Sequence, residues 1–378
     1  MSVTSLDPSR NQCMLTGKLA KHGYDWWWHS FTAHHAETGE ELPFFIEFFL
    51  INPERGSDKP TFGRRADGTR GATPSYLMVK AGCWGQNPRQ LHRFFPISKV
   101  DIGLGTPYYL YAGDCLACDT DLIGHVHVTP EAAAAHPEWM SDAGCISFDL
   151  HLDKQIAFNV GYGASKPARD AQAFEMYWHA EGMKTLVSGT IMLDGETYEV
   201  TPETSFGYSD KNWGSDFTSP WVWLASSDLT SRLTGNRLED TAFDIGGGRP
   251  RAFGVTFDRK LLGCISYEGR AFEFNFSKPW TLSQTAFDCQ ETETEIIWHV
   301  QQDTATARMI TDVCCPKNQM ILANYESPDG FKRHNRLFNG GAGTGRVQLF
   351  EKHGKSLYLI DDMDAAHIGC EFGEYDQE

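Results

Sequence analysis

Residues 207–214 read GYSDKNWG, and SPWVWLASS follows at 219–227. An acid, a base and an amide stand in succession, Asp210, Lys211 and Asn212, with Trp213 behind them and a glycine at each end. The glycines suit a sharp bend between strands. Such a turn would present Asp210 and Lys211 to one side, with Asn212 as a neutral donor. The trio could then donate a proton, stabilise a phenolate or orient water. A polar surface turn would read the same way, and only the neighbouring PWVWL run places the trio beside a pocket wall.

Two further stretches carry titratable groups among aromatics. In DWWWHSF (25–31), strand alternation sets Trp26, Trp28 and Ser30 on one face and Asp25, Trp27, His29 and Phe31 on the other. Adjacent tryptophans imply a strand buried on both faces, between a cavity and a second layer. In FFIEFFL (44–50), Glu47 shares its face with Phe45 and Phe49. A carboxylate there must be paired or protonated, and desolvation raises its pKa. A hairpin centred on Thr38 puts His29 opposite Glu47, whereas a two-residue Thr38-Gly39 loop pairs His29 with Phe48; the spacing allows both. In FEMYWHAEGM (174–183), Glu175, Tyr177, His179 and Glu181 alternate onto one face, with Phe174 and Trp178 on the other. That row either meets solvent or lines a cavity as acids and bases.

Other motifs fall short of a chemical signature. GGAGTG (340–345) lacks the Lys-Ser/Thr of a phosphate loop, and IGGGRP (245–250) does not match a dinucleotide fingerprint, so both read as turns. Cys115, Cys118, His125 and His127 lack the second ligand pair at zinc-site spacing. The expectation is a site without metal or cofactor. A net charge of −17 argues against a phosphate backbone or an anionic membrane as partner. No window is long and apolar enough to span a bilayer as a helix. The opening residues lack the basic-then-apolar pattern of a secretory leader, and the ten cysteines form no disulfide framework. The expected compartment is therefore the cytoplasm.

The elements that must position these groups are strands. Short aromatic and β-branched runs recur throughout the 378 residues, and ISFDLHLD and AFEFNFSK alternate cleanly between buried and wet faces. One helix is expected, at TPEAAAAH, with Thr129 as cap, Pro130 in the first turn and Pro137 as stop. Residues 25–48 and 219–245 share an outline of tryptophan strand, polar stretch with Thr-Gly, and apolar strand. A duplicated β module would explain this. The expected fold is all-β, with two lipocalin-like barrel or sandwich modules, 1–190 and 191–378, and a few short helices.

With these residues in view, the sequence resembles the tocopherol cyclase family, within the wider group of two-domain lipocalin-like proteins that includes carotenoid hydratases. YDWWWHSF…FFIEFFLINP, AFEMYWHAEGMKT, GYSDKNWGSDFTSPWVWLASS with FDIGGGRPR, and RHNRLFNGGAGTG carry the resemblance. It implies two β modules around an apolar cavity, and ring closure by addition of a phenol oxygen to a protonated prenyl alkene, with no cofactor. Asp210, Lys211, Asn212 and Trp213 lie in the matching block. The chemistry further calls for an acid, Asp210, Glu47 or Glu181, and a base, His29 or His179. It also calls for aromatic faces for a cation, Trp26, Trp28, Trp213, Trp221 and Trp223, with Tyr177 beside them. The substrate implied is an apolar phenolic or isoprenoid molecule, a prenylated quinol or a flavonoid-like enone. A hydratase, in which water captures the cation, and a non-catalytic carrier of hydrophobic molecules are the competing readings.

Overall fold

The computed structural model describes residues 2–56, 58–160, 173–252, 255–256, 260–331 and 333–373. It is nearly all β and lipocalin-like. Among the described residues the strands from Tyr24 to Gly214 form one 12-stranded sheet, and those from Trp221 to Gly373 form an 11-stranded second sheet, beside one two-stranded ribbon. The division expected at 190/191 falls inside the Met176–Leu193 strand, which belongs to the first sheet; the chain changes sheet between Gly214 and Trp221. The expected helix is Pro130–Ala135, capped by the Thr129 hydroxyl, which accepts from the Ala132 N–H at 3.1 Å. No helix among the described residues is long and apolar enough to cross a membrane.

Each sheet wraps a core of its own, and a third aromatic core lies between them. Trp27, Phe31, Phe44, Ile46 and Phe48 point into the first sheet's core. Val222, Leu224, Phe243 and Ile245 point into the second. The alternate residues meet in the middle: Tyr24, Trp26, Trp28, Phe45 and Phe49 from the first sheet, Trp221, Trp223 and Tyr325 from the second. Period-two alternation thus explains the consecutive aromatics, because strands at this junction bury both faces. The two sequence stretches with a shared outline are both antiparallel neighbours, Tyr24–His35 with Glu41–Ile51 and Trp221–Ser226 with Ala242–Gly248. Each contributes its tryptophan pair to the junction.

Three local expectations are corrected. The Tyr24–His35/Glu41–Ile51 register pairs His29 with Ile46 and Trp28 with Glu47, one residue from the expected His29–Glu47 alignment and two from the His29–Phe48 one. A one-residue shift moves a side chain to the other face, so His29 and Glu47 lie on opposite sides of the sheet. GYSDKNWG is a fully buried strand, Gly207–Gly214, between Tyr24–His35 and Met176–Leu193. Its glycines do not adopt left-handed φ; they let the backbones close up, since a Cβ at Gly207 would lie 2.4 Å from the Thr185 carbonyl oxygen and one at Gly214 2.0 Å from that of Glu175. IGGG and GGAGTG are likewise strand, within Ala242–Gly248 and Arg333–His353.

Candidate active site

The Gly207–Gly214 strand sorts its polar side chains by parity. Tyr208, Asp210 and Asn212 are cross-strand partners of Ser30, Trp28 and Trp26 and face the junction. Ser209, Lys211 and Trp213 pair with His29, Trp27 and Asp25 and face the other way. Asp210 and Lys211, expected side by side, are therefore separated by the sheet.

On the junction side, Asp210 is buried and accepts at Oδ2 from the Trp178 indole N–H at 2.7 Å. The Tyr208 hydroxyl lies 3.2 Å from the same oxygen and 3.0 Å from Oδ2 of Asp244, which the Ala242–Gly248 strand contributes from the second sheet. Trp223 donates its indole N–H to the Tyr208 oxygen at 3.2 Å. One phenol has one proton, so it can donate to only one of its two carboxyl neighbours. The other contact is a hydrogen bond only if that carboxyl is itself protonated, so the trio is complete with at least one carboxyl proton. Burial holds both acids well above the ordinary carboxylate range. The charge of Asp210 pushes Asp244 up further, and Glu371 pushes Asp210 up, while the Trp178 and Tyr208 bonds pull Asp210 down. Oδ1 of each acid has no hydrogen-bond partner among the described residues.

Two more carboxyls reach the junction. Oε2 of Glu371 accepts the Trp221 indole N–H at 2.5 Å and Oε1 accepts the Asn339 amide N–H at 2.5 Å. Burial pushes Glu371 up to about 7, against the pull of those two donors. Glu47 is fully buried beside Lys80, 2.7 Å from its Oε2, and accepts from the Tyr325 hydroxyl at 3.0 Å. Burial raises Glu47, and Lys80 opposes it. The Lys80 ammonium also sits 4.1 Å from the Tyr325 ring centroid, so Glu47 is held as one member of an ion pair.

Asp210 and Glu371 line one small cavity with Trp26, Trp28, Trp221, Trp223 and Tyr325, and it leaves room for about one water molecule. Next to it runs an apolar groove of about 550 Å³, including its open mouth, lined by Phe174, Met176, Tyr177, Trp178, Trp221, Gly246 and Leu262 among others. Trp221 lines both spaces and Trp178 bonds Asp210 from the groove wall. Gly246 makes room for Trp178, whose ring lies 3.0 Å from where a Cβ would stand.

Apart from Asn212, the remaining candidates lie on the far side of the first sheet. Lys211 is fully buried in a close ion pair with Asp25, its ammonium 4.3 Å from the Trp27 ring centroid and 4.9 Å from that of Trp213. Trp213 stacks on Tyr177 at 5.5 Å. His29 shares a hydrogen bond between Nδ1 and the Ser209 hydroxyl at 2.9 Å, and His179 one between Nε2 and the Asn11 amide oxygen at 3.2 Å. Burial holds both imidazoles well below their ordinary range, hence neutral. Glu181 is raised by burial and pairs with Lys154 at 2.6 Å. The Tyr177–His179–Glu181 row is therefore buried, away from solvent. Phe174 packs with Tyr177 and Trp213. Asn212 stays at the junction, accepting from the Tyr24 hydroxyl at 2.7 Å. Among the described residues no group of three or more His, Cys, Asp or Glu is arranged to hold a metal ion.

Sequence reasoning missed Tyr208, Asp244, Glu371, Trp178 as a donor, and the Lys80–Tyr325 pair. Asp244 carried a signal, an acid between Phe243 and Ile245 in an alternating run. Glu371 carried little, because the Ser356–Gly373 strand holds few of the aromatic runs that marked the others.

An all-β, lipocalin-like chain with buried acids between two sheets is the class that this geometry defines. The family model described as tocopherol cyclase-like matches residues 166–373, more than half of the chain, and the chain belongs to that family. Over 108 residues it is 35% identical to the chloroplastic tocopherol cyclase of Zea mays and, at the same identity and length, to the probable chloroplastic tocopherol cyclase of Oryza sativa subsp. japonica. Each match covers 29% of this chain and 21% of the relative, so the shared stretch spans about a fifth of those proteins. Among solved structures, kievitone hydratase from Nectria haematococca is similar at 11% identity and a TM-score of 0.49, covering 98% of this chain and 92% of the other.

Proposed function

We propose that the chain is an enzyme that protonates an alkene or enone of an apolar phenolic substrate and closes a chroman-type ring by intramolecular attack of the phenol oxygen. One observation carries the reading: two buried carboxyls, Asp210 and Asp244, share a single Tyr208 hydroxyl under tryptophans, beside an apolar groove. A carboxylic acid that keeps its proton near neutral pH can act as a general acid. Asp210 is the donor, because it lines the cavity. Proton transfer from its carboxyl to the less substituted alkene carbon breaks O–H and forms C–H. The positive charge develops on the more substituted carbon, where the faces of Trp26, Trp28, Trp221 and Trp223 stabilise it. The phenol oxygen then forms the C–O bond, and the mass is unchanged. The two sheets, dividing between 214 and 221, are the two modules, with the reaction between them. Lys211, His29, His179 and Glu181 have structural roles in this reading, and Tyr177 is kept as a groove-wall contact.

Family membership and the names of the plant relatives favour cyclisation. Hydration of an isoprenoid alkene is the second reading, favoured by a cavity with room for about one water beside the acid. Purified protein would be incubated with prenylated hydroquinones and hydroxychalcones without added cofactor, and the products analysed by mass spectrometry and chiral chromatography. A product of unchanged mass and single handedness supports the cyclase, gain of one water the hydratase, and binding without turnover a carrier.

A further inference from the structure

Both chemistries need a group to take the proton from the attacking oxygen. We propose that this base is Glu371, which faces Asp210 from the second sheet across their shared cavity and receives the proton of the phenol or water as the C–O bond forms. The proposal rests on the acid assignment above.

The hydrogen-bond donors separate the two carboxyls by form. Glu371 receives one N–H at each oxygen, from Trp221 and from Asn339. An indole N–H has no acceptor capacity. The Asn339 amide is also fixed, because its oxygen accepts the Trp84 indole N–H at 2.8 Å, which turns its NH2 to Glu371. A carboxylate satisfies both donors, and a second lone pair on each oxygen remains for an incoming proton. Asp210, by contrast, draws on a phenol proton shared with a second acid. The Glu371 backbone is anchored as well, its carbonyl accepting from Trp298 at 3.2 Å.

Charged groups of both sheets bear on Glu371. Beyond burial, Glu47 raises its proton affinity and Lys80 lowers it; Asp210, Tyr325 and Cys370, each raised mainly by burial, are pushed up further by its charge. With a pKa of about 7 it is poised to accept a proton from an oxygen that is bonding to a cation. The step balances: Asp210 gives one proton to carbon, the nucleophile gives one to Glu371, and exchange with solvent resets both. No oxidant or reductant enters.

The first test uses a prenylated hydroquinone in D2O with the wild type, Glu371→Gln and Asp210→Asn. In Glu371→Gln, ring closure is expected to fall by roughly 10²–10⁴, while deuterium still enters the recovered alkene, because Asp210 still protonates and the cation collapses back. Asp210→Asn is expected to lose both. Ring closure in Glu371→Gln within threefold of wild type overturns the proposal. So does loss of deuterium entry in a folded Glu371→Gln protein, which would tie Glu371 to the acid. Retention of both signals in Asp210→Asn overturns the acid assignment itself, and the base assignment with it.

A second measurement needs no substrate. Infrared difference spectra between pH 5 and pH 9 are expected to contain a carboxyl band, absent in Glu371→Gln, that is lost with a midpoint near 7. Asn339→Asp, which sets a second acid against Glu371, is expected to move that midpoint upward. A Glu371 still protonated at pH 8 in the wild type overturns the proposal.

Discussion

Lys211 separates a structural from a catalytic reading of GYSDKNWG. Its ammonium and the Asp25 carboxylate have no solvent exposure and no nearer charge partner than each other among the described residues. Removing one member of such a pair strands a buried charge and costs about 3–5 kcal/mol. Lys211→Met keeps the stem packed between Trp27 and Trp213 but leaves Asp25, among the described residues, with only the Met14 backbone N–H, at 2.7 Å. The expected Tm loss is roughly 10 °C for a cooperative unit the size of the first sheet. Adding Asp25→Asn removes the stranded charge, and the double variant is expected to be more stable than Lys211→Met alone.

The penalty also depends on pH. Burial already holds Asp25 at about 6, above the unfolded value of 3.8. The native state thus binds the extra proton between those values, and this group's contribution to stability falls as pH rises from about 4 to about 6. Without Lys211 the folded pKa climbs further, so the defect is small near pH 4.5 and grows as pH rises above about 6. Differential scanning fluorimetry across that range reads it. Turnover of the folded Lys211→Met protein should stay within about threefold of wild type, since Lys211 faces away from Asp210. An unchanged Tm with turnover down a hundredfold would refute this account and return Lys211 to the chemistry.

Two further predictions probe the acid pair. Tyr208→Phe removes the hydroxyl that lies between Asp210 and Asp244, whose donated proton lowers the pKa of the acid that receives it. The acid pair then loses that donor and holds its proton more tightly, so kcat should fall roughly 10–100-fold and the alkaline limb of the pH–rate profile should move upward, with KM little changed. Gly369→Ala puts a Cβ 2.2 Å from the Trp223 ring. The ring must shift and its 3.2 Å bond to Tyr208 break; several-fold lower turnover and altered tryptophan fluorescence are expected.

Much of this architecture was legible from alternation alone. Three consecutive tryptophans at 26–28 require burial on both faces, and the structure supplies a barrel core on one side and the second sheet on the other. The hairpin register was not legible, because the loop between His35 and Glu41 allows several lengths, and one residue decides whether Glu47 faces His29 or Trp28. GYSDKNWG misled because glycine serves both for turns and for close backbone approach. Only the neighbouring strands, with carbonyls within 2.4 Å of the absent Cβ atoms, distinguish the two. Asp210 could be picked out from its local block, but its partners Asp244 and Glu371 come from strands 34 and 161 positions further on, as 244 and 371 less 210. Sequence proximity cannot reveal such a cluster.

The most direct test of the central claim is whether the Asp210–Tyr208–Asp244 site delivers a proton to carbon. A prenylated hydroquinone would be turned over in D2O, with the product examined by mass spectrometry and deuterium NMR. The account predicts one carbon-bound deuterium per ring closed, and turnover lowered roughly 10²–10⁴-fold by Asp210→Asn in a protein that still folds. A ring-closed product without carbon-bound deuterium, or an Asp210→Asn variant as active as the wild type, would contradict it.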